Sequence, residues 1–323
     1  MKKDIILAVK DLYVNYYTYA GVVHALNGVS LEIYKGETMG LVGETGCGKS
    51  TLGHAIAGLL PNNARITGGS IVLDGEELVG RSPEEMRIIR RDKLAYIFQN
   101  PAAALNPVMK VGDQIIEAIM VKENLSKKEA EERALELLKK LGIPEPEKFY
   151  KSYPHELSGG MRQRVMIAIA LAKNPLLVIA DEPTSNLDVT IQAQILELIK
   201  SLKKQFRQTT ILITHDLGVV AQTCDRVTIM YAGTIVEVGS IYDVFKNPSH
   251  PYTQGLLRVV KFSETRSKLP TIPGTVPNLI NPPSGCIFHP RCRYAKAICK
   301  KMKPELREIE NGHFIACHLY NNV

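Results

Sequence analysis

Three stretches of this chain pair glycines, cations and carboxylates in patterns that suit phosphate chemistry. Gly43-Glu44-Thr45-Gly46-Cys47-Gly48-Lys49-Ser50-Thr51 has the spacing of a phosphate loop and lies after an apolar run and before helical spacing. Glycines let successive backbone N–H groups converge on one phosphate, and the following helix N-terminus adds partial positive charge. Lys49 is then set to contact the β- and γ-phosphates, and the Ser50 hydroxyl to bind Mg²⁺. Farther along, Leu177-Val178-Ile179-Ala180 runs into Asp181-Glu182. At a strand end Asp181 can hold Mg²⁺ through water, while Glu182, one residue on, is placed to polarise an attacking water as general base. Between them stands a second glycine-rich turn, Leu157-Ser158-Gly159-Gly160-Met161-Arg162-Gln163-Arg164.

A different chemistry is written near the C-terminus, where four of the six cysteines, Cys286, Cys292, Cys299 and Cys317, fall within the last 38 residues. In a reducing compartment such clustering points to metal and not to disulfides. Their spacing is looser than the tight C-x2-C knuckle of structural zinc sites. Four loosely spaced thiolates suit a [4Fe-4S] cubane, whose corners lie farther apart than ligands on one ion, with a four-thiolate Zn²⁺ site or unmetallated thiols as alternatives. His289, His313 and His318 are near enough in sequence to replace a cysteine, and Arg291, Arg293, Lys296, Lys300 and Lys301 would offset thiolate charge. Cys47, inside the phosphate loop, reads as a small filler.

The elements that must position these groups follow from hydrophobic period. Ile5 to Val9 and Val29 to Ile33 read as strands flanking a Tyr-rich turn region, and Met39 to Gly43 as a short strand. Gly68-Gly69-Ser70 and Asp74-Gly75 are expected to frame a hairpin around Ile71 to Leu73. From about 101 to 157 the period is helical, with Ser126 and Glu129 forming a capping box and Gly142 a stop, and a helical subdomain is expected over roughly 101–172. Apolar strands at 176–180 and 210–214 alternate with helices near 159–173 and 190–204, which predicts an α/β core with a parallel sheet covered on both faces. Beyond 261, seven prolines between Pro270 and Pro304 exclude a long helix, and the segment has little apolar content for a core of its own. The expected division is an α/β domain over 1–260 and a loop-rich, metal-binding extension over 261–323.

Length and composition agree with that division: 323 residues at 45% hydrophobic content can bury a large core plus an appendage. The start, Met1-Lys2-Lys3-Asp4, lacks a signal-peptide pattern, and no apolar run is long enough to span a membrane. A cytosolic chain with peripheral membrane contact is expected. Of the formal net charge of +7, ten Lys or Arg and four Glu from Lys261 onward account for most, so the basicity belongs to the tail. No aromatic-rich basic motif accompanies it, which favours a solvated or docking face over nucleic-acid recognition.

Taken in order, the phosphate loop, Gln99, the Leu157–Arg164 turn, Asp181-Glu182 and Ile213-Thr214-His215-Asp216-Leu217 resemble the ABC ATPases, over about residues 4 to 255. The resemblance implies an ABC-type core with N-terminal antiparallel β elements and an inserted helical subdomain. It makes Gln99 a contact to Mg²⁺ and the attacking water, His215 a γ-phosphate ligand supporting Glu182, and Tyr16 the aromatic that stacks on adenine, with Tyr19 as the fallback. Ser158, Gly159 and Gly160 would open a helix aimed at the γ-phosphate of the opposite subunit, and Ser185 to Asp188 would sense that subunit. Met161 stands where the family more commonly has glutamine, a side-chain change beyond the backbone donors.

The C-terminal stretches Asn247 to Leu257, Leu269 to Gly274 and Gly285 to Cys292 are similar to those of dipeptide and oligopeptide importer ATP-binding subunits, as is Gln99-Asn100-Pro101, although Asn100 replaces the group's common Asp. This implies ATP and Mg²⁺ as ligands, a heterodimer with a related ATPase, two membrane permeases, an external peptide-binding protein, and work at the cytoplasmic face of the plasma membrane. A nickel or other small-solute importer is a milder alternative, and a nucleic-acid-associated ABC ATPase a rival that the basic tail keeps open.

Overall fold

The computed structural model describes residues 4–185, 188–206, 208–262 and 272–320. The chain divides into two compact units, one made of Met1–Arg81 with Leu212–Val323 and the other of Ser82–Ile211.

The first unit begins with a hairpin of two long strands, β1 (Ile5–Thr18) and β2 (Gly21–Tyr34), joined at Tyr19-Ala20. Val29, Leu31 and Ile33 are buried while Ser30 and Glu32 are not, the two-residue period of a strand with one covered face. The Tyr-rich stretch expected as a turn region is therefore strand as far as Thr18, because cross-strand pairing continues through Tyr16 and Tyr17. β3 (Thr38–Val42) is buried at all five positions and leads to α1 (Lys49–Ala57). β4 (Ala64–Leu73) pairs antiparallel with β1 and turns at Asp74-Gly75 into β5 (Glu76–Glu77). Gly68-Gly69-Ser70 does not bound a hairpin: it lies inside β4, at an irregularity in the β1 pairing where a Cβ on Gly69 would stand 2.4 Å from the Asp11 carbonyl oxygen.

The second unit carries α2 (Pro83–Asp92), β6 (Leu94–Ile97), α3 (Pro101–Ala104), α4 (Val111–Met120), α5 (Lys127–Lys140), α6 (Pro146–Tyr150), α7 (Gly159–Ala172), β7 (Leu177–Asp181) and α8 (Val189–Phe206). The capping box at Ser126 and Glu129 opens α5, whose Ala130, Ala134 and Leu138 are buried. β6 and β7 pair in parallel from Leu94 against Leu177 to Ile97 against Ala180. That register brings the ends of both strands, with Gln99 and Glu182 just beyond them, to one end of the sheet.

Returning to the first unit, the chain forms β8 (Thr209–Ile213, at the junction), α9 (Leu217–Thr223), β9 (Arg226–Tyr231), β10 (Thr234–Ser240), α10 (Ile241–Lys246), α11 (Pro251–Phe262), β11 (Arg307–Glu310) and β12 (His313–Ile315). β3 pairs in parallel with β9, but β9 with β10, β10 with β12 and β12 with β11 are antiparallel. The expected parallel sheet is thus mixed, because Ala232-Gly233 is too short a connection for anything but a hairpin.

The C-terminal segment is loop-rich as expected, yet it does not stand apart. Ile287 and Phe288 join Val42, Val227, Ile229, Tyr231, Val236, Tyr252 and Leu257 in one apolar core. His313 Nε2 and Glu237 Oε1 lie 2.8 Å apart across the β10–β12 pairing. A tail without a core of its own is held by sharing this one. Among the described residues no helix is long and apolar enough to cross a membrane.

Candidate functional site

The phosphate loop lies in the first unit. β3 delivers it and α1 follows, with Lys49 as the first helical residue. A Cβ on Gly43 would stand 2.1 Å from the Met230 carbonyl oxygen and 2.6 Å from Cys47 Sγ, so only glycine fits against β9 here. Lys49 Nζ donates to the carbonyl oxygens of Gly43 (2.8 Å) and Glu44 (3.1 Å), which pins a buried ammonium to its own loop. Ser50, Thr45 and Gly46 are exposed. Cys47 is buried, and burial pushes its thiol up despite the adjoining Lys49, which suits a filler more than a reactive thiolate. The Tyr16 hydroxyl lies 3.3 Å from Thr51 Oγ1, whereas Tyr19 is fully exposed at the hairpin turn. His215 is exposed just after β8. Its neighbours are fixed by Thr214 N–H donating to the Leu41 carbonyl, and by Asp216 capping α9 through Gly218 and Val219.

The second unit carries the acids. Asp181, buried at the end of β7, accepts a hydrogen bond from the Tyr96 hydroxyl at 2.8 Å. Glu182 follows with φ of 45°, a left-handed conformation that a non-glycine residue adopts at a cost and that is typical of functional sites. It is held there by Ser185, whose N–H and hydroxyl both donate to the Glu182 carbonyl oxygen. Gln99 Nε2 donates to Glu182 Oε2 at 2.7 Å, which brings two of the expected catalytic residues together. Ser158 caps α7 by accepting from the Met161 N–H, leaving Gly159 and Gly160 as the first residues of that helix. Of the expected Ser185 to Asp188 segment, Asn186 and Leu187 lie outside the described residues, as does Leu269-Pro270-Thr271 of the C-terminal motif.

Among the described residues no three His, Cys, Asp or Glu side chains gather as ligands of a metal ion. The expected metal-binding extension, whether for a [4Fe-4S] cluster or for zinc, therefore finds no assembled ligand group among the described residues. Nor do the histidines stand in: His289 Nδ1 meets the Cys286 carbonyl, His318 Nε2 the Met302 carbonyl, and His313 the Glu237 carboxylate. The four thiols still share a neighbourhood. Cys317 is pushed up to about 11 by burial first, then by the charges of Cys286, Cys292 and Cys299, against a backbone hydrogen bond from Leu319. Backbone N–H groups also face the other sulfurs, from Phe288 and His289 to Cys286, from Tyr294 to Cys292, and from Lys296 to Cys299 at 3.4 Å.

Two contacts were not foreseen from sequence. The Tyr96 bond to Asp181 could have been suspected from a tyrosine in an otherwise apolar strand three residues before Gln99. The other joins Glu44 of the phosphate loop to Arg291, which the sequence offers only as a neighbour of the cysteines: Nη1 and Nη2 reach the Glu44 carboxylate at 2.8 and 3.2 Å.

Residues 26–185 match the ABC transporter family and residues 236–299 the family described as oligopeptide/dipeptide transporter, C-terminal region. The chain is 48% identical to the dipeptide transport ATP-binding protein DppD of Bacillus subtilis, covering 97% of this chain and 94% of that one. It is also 48% identical to the oligopeptide transport ATP-binding protein OppD of Escherichia coli, covering 97% and 93%. Among solved structures, a dimeric ATP-binding cassette in a post-hydrolysis state with ADP and phosphate superposes with a TM-score of 0.66 at 31% identity, covering 73% of this chain and 98% of that one.

Proposed function

Because the chain belongs to the ABC transporter ATP-binding proteins, in the branch that carries the oligopeptide/dipeptide C-terminal region, we propose that it is the ATP-hydrolysing subunit that powers import of dipeptides or oligopeptides through a membrane permease. One observation carries this reading: an intact phosphate loop and acid-bearing strand share a chain with the peptide-transporter C-terminal region.

In this reading the Gly43–Thr51 backbone and Lys49 bind the phosphates, Tyr16 stacks on adenine, and Ser50, Asp181 and Gln99 hold Mg²⁺. When bound, Mg²⁺ neutralises phosphate charge. Glu182 takes the proton of the attacking water, with Gln99 fixing its carboxylate and His215 supporting the γ-phosphate side. The N-terminus of α7, at Ser158, Gly159 and Gly160, completes the site of a second, homologous ATPase subunit, so ATP closes a heterodimer and hydrolysis reopens it. Two permease subunits at the cytoplasmic face of the plasma membrane receive that motion near the Gln99 loop, and an external peptide-binding protein supplies the cargo. Reconstitution with those subunits in liposomes tests this: ATP-dependent peptide uptake that disappears with Glu182→Gln is the expected result, and uptake of nickel but no peptide would overturn the substrate class.

We also assign a [4Fe-4S] cluster to Cys286, Cys292, Cys299 and Cys317. The support is the count of four cysteines in one loop-rich segment and the backbone N–H groups that reach all four sulfurs, which partly offset the burial that raises the Cys286, Cys292 and Cys317 thiols. Such a cluster would supply one-electron redox chemistry. Anaerobic purification should yield about four iron and four sulfide per chain with a broad absorption band near ~400 nm. One zinc per chain without colour would end this assignment.

A further inference from the structure

The segment between Cys286 and Cys292 reaches the phosphate loop in two ways, directly through Arg291 and indirectly through Tyr252. The first is polar. The Arg291 side chain, only 6% exposed, places both terminal nitrogens on the Glu44 carboxylate, while its Nε donates to the Pro273 carbonyl and its Nη1 also reaches the Tyr231 hydroxyl at 3.3 Å. The second is aromatic. Phe288 packs against Tyr231 and Tyr252 with ring centroids 5.0 and 5.5 Å away, and the Tyr252 hydroxyl accepts the Glu44 backbone N–H at 2.9 Å. Glu44 is thereby fixed at both its side chain and its backbone by residues more than two hundred positions away. Its carbonyl oxygen in turn receives Lys49 Nζ.

We propose that Arg291 is a positioning residue for the phosphate loop, and that through it the C-terminal extension sets the affinity of this subunit for the phosphates of its nucleotide. The physical reason is geometric. A loop that binds phosphate through converging N–H groups gains affinity when those groups are already aimed, since ordering a free loop subtracts from the binding free energy. A bidentate guanidinium–carboxylate pair sets both distance and plane. An extension that lost its local fold would release Glu44, and with it the first turn of the loop, leaving the acids of the second unit unaltered.

The inference rests on Gly43–Thr51 holding the nucleotide, and the same experiment separates the two claims. MgADP affinity and steady-state ATPase activity are measured on the full chain for wild type, Arg291→Gln, Glu44→Gln and the double variant. Wild type that binds no MgADP would refute the nucleotide site itself. With wild type binding, each single variant should weaken MgADP about tenfold, the lower end for a charge-assisted hydrogen bond. KM for ATP should rise in parallel while kcat changes less than about twofold, the pattern of lost ground-state binding. The double variant should be no weaker than the worse single variant, because both act through one contact. Folded Arg291→Gln protein with wild-type MgADP affinity, or single losses that multiply in the double variant, would overturn the proposal. Should Arg291→Gln fail to fold, folded Glu44→Gln protein, which keeps a polar side chain facing Arg291 and removes the carboxylate charge, decides alone: unaltered affinity there refutes the inference.

Discussion

Gln99 and Glu182 meet at 2.7 Å, the amide nitrogen donating to the carboxylate from a loop that follows a neighbouring parallel strand. The bond ties the Glu182 carboxylate to the Gln99 loop. Replacing Glu182 with Gln keeps the shape and removes the proposed base, so kcat should fall by about 10²–10⁴-fold with nucleotide affinity retained. Gln99→Ala should cost less, because it unfastens the carboxylate without removing it. Single-turnover ATP hydrolysis at saturating nucleotide checks both, and an active Glu182→Gln subunit would mean the base lies elsewhere.

Lys49 is the buried cation of the loop. Lys49→Ala removes the ammonium that bonds the Gly43 and Glu44 oxygens and, in the proposed site, the phosphates, at about 1.5–3 kcal/mol for a hydrogen bond to a charged group. A loss of roughly 10- to 100-fold in ATP affinity follows, read by equilibrium binding of a fluorescent nucleotide.

Gly43→Ala tests the loop's approach to β9. With a Cβ 2.1 Å from the Met230 backbone oxygen, the loop must shift or the strand pairing must give. Nucleotide binding should be lost and the melting temperature lowered, whereas Gly46→Ala, where the added carbon meets nothing within 4 Å, should perturb packing far less although its φ is positive.

Two histidines around one carboxylate predict how stability depends on pH. Glu237 accepts the N–H groups of Ser249 and His250 and bonds His313. The hydrogen bond to Glu237, opposed by burial and helped by the charges of Glu237, Asp243 and Glu310, holds His313 above its ordinary 6.5. Its contribution is fully present below about 6.5 and is lost as pH rises through the raised value. His250 is the reverse: burial, partly opposed by Glu237, lowers it to about 4, so stability falls as pH drops from 6.5 toward 4. Urea midpoints across pH 4–9 should show the alkaline decline reduced in His313→Gln and the acid decline reduced in His250→Gln. An alkaline limb identical in wild type and His313→Gln would show that this pair is not protonated in the folded chain.

The candidate catalytic residues could be named from sequence because the pattern that marks them is local: a loop between strand and helix, or acids at the end of an apolar run. Helix caps such as Ser126 with Glu129 were legible for the same reason. What escaped depends on partners far apart in the chain. Arg291 and Glu44 are separated by 247 positions, and nothing in either neighbourhood marks the other. The β11–β12 hairpin escaped because its strands are three and four residues long and draw their stability from β10 more than from their own apolar content. The glycines of β4 misled because a glycine pair signals a turn and a strand irregularity alike.

That hairpin has a consequence for the chain as a solute. Six of the seven residues of β10 are buried, and an apolar strand with an open rim of N–H and C=O groups is a template for pairing with another molecule. β12 covers that rim, and the sheet terminates instead at β11, four residues long, with Arg307, Glu308 and Glu310 exposed to water. A short charged edge discourages strand addition. The β11–β12 hairpin thus replaces the buried rim of β10 with a short, charged one, which disfavours pairing between copies of the chain whether or not nucleotide is bound.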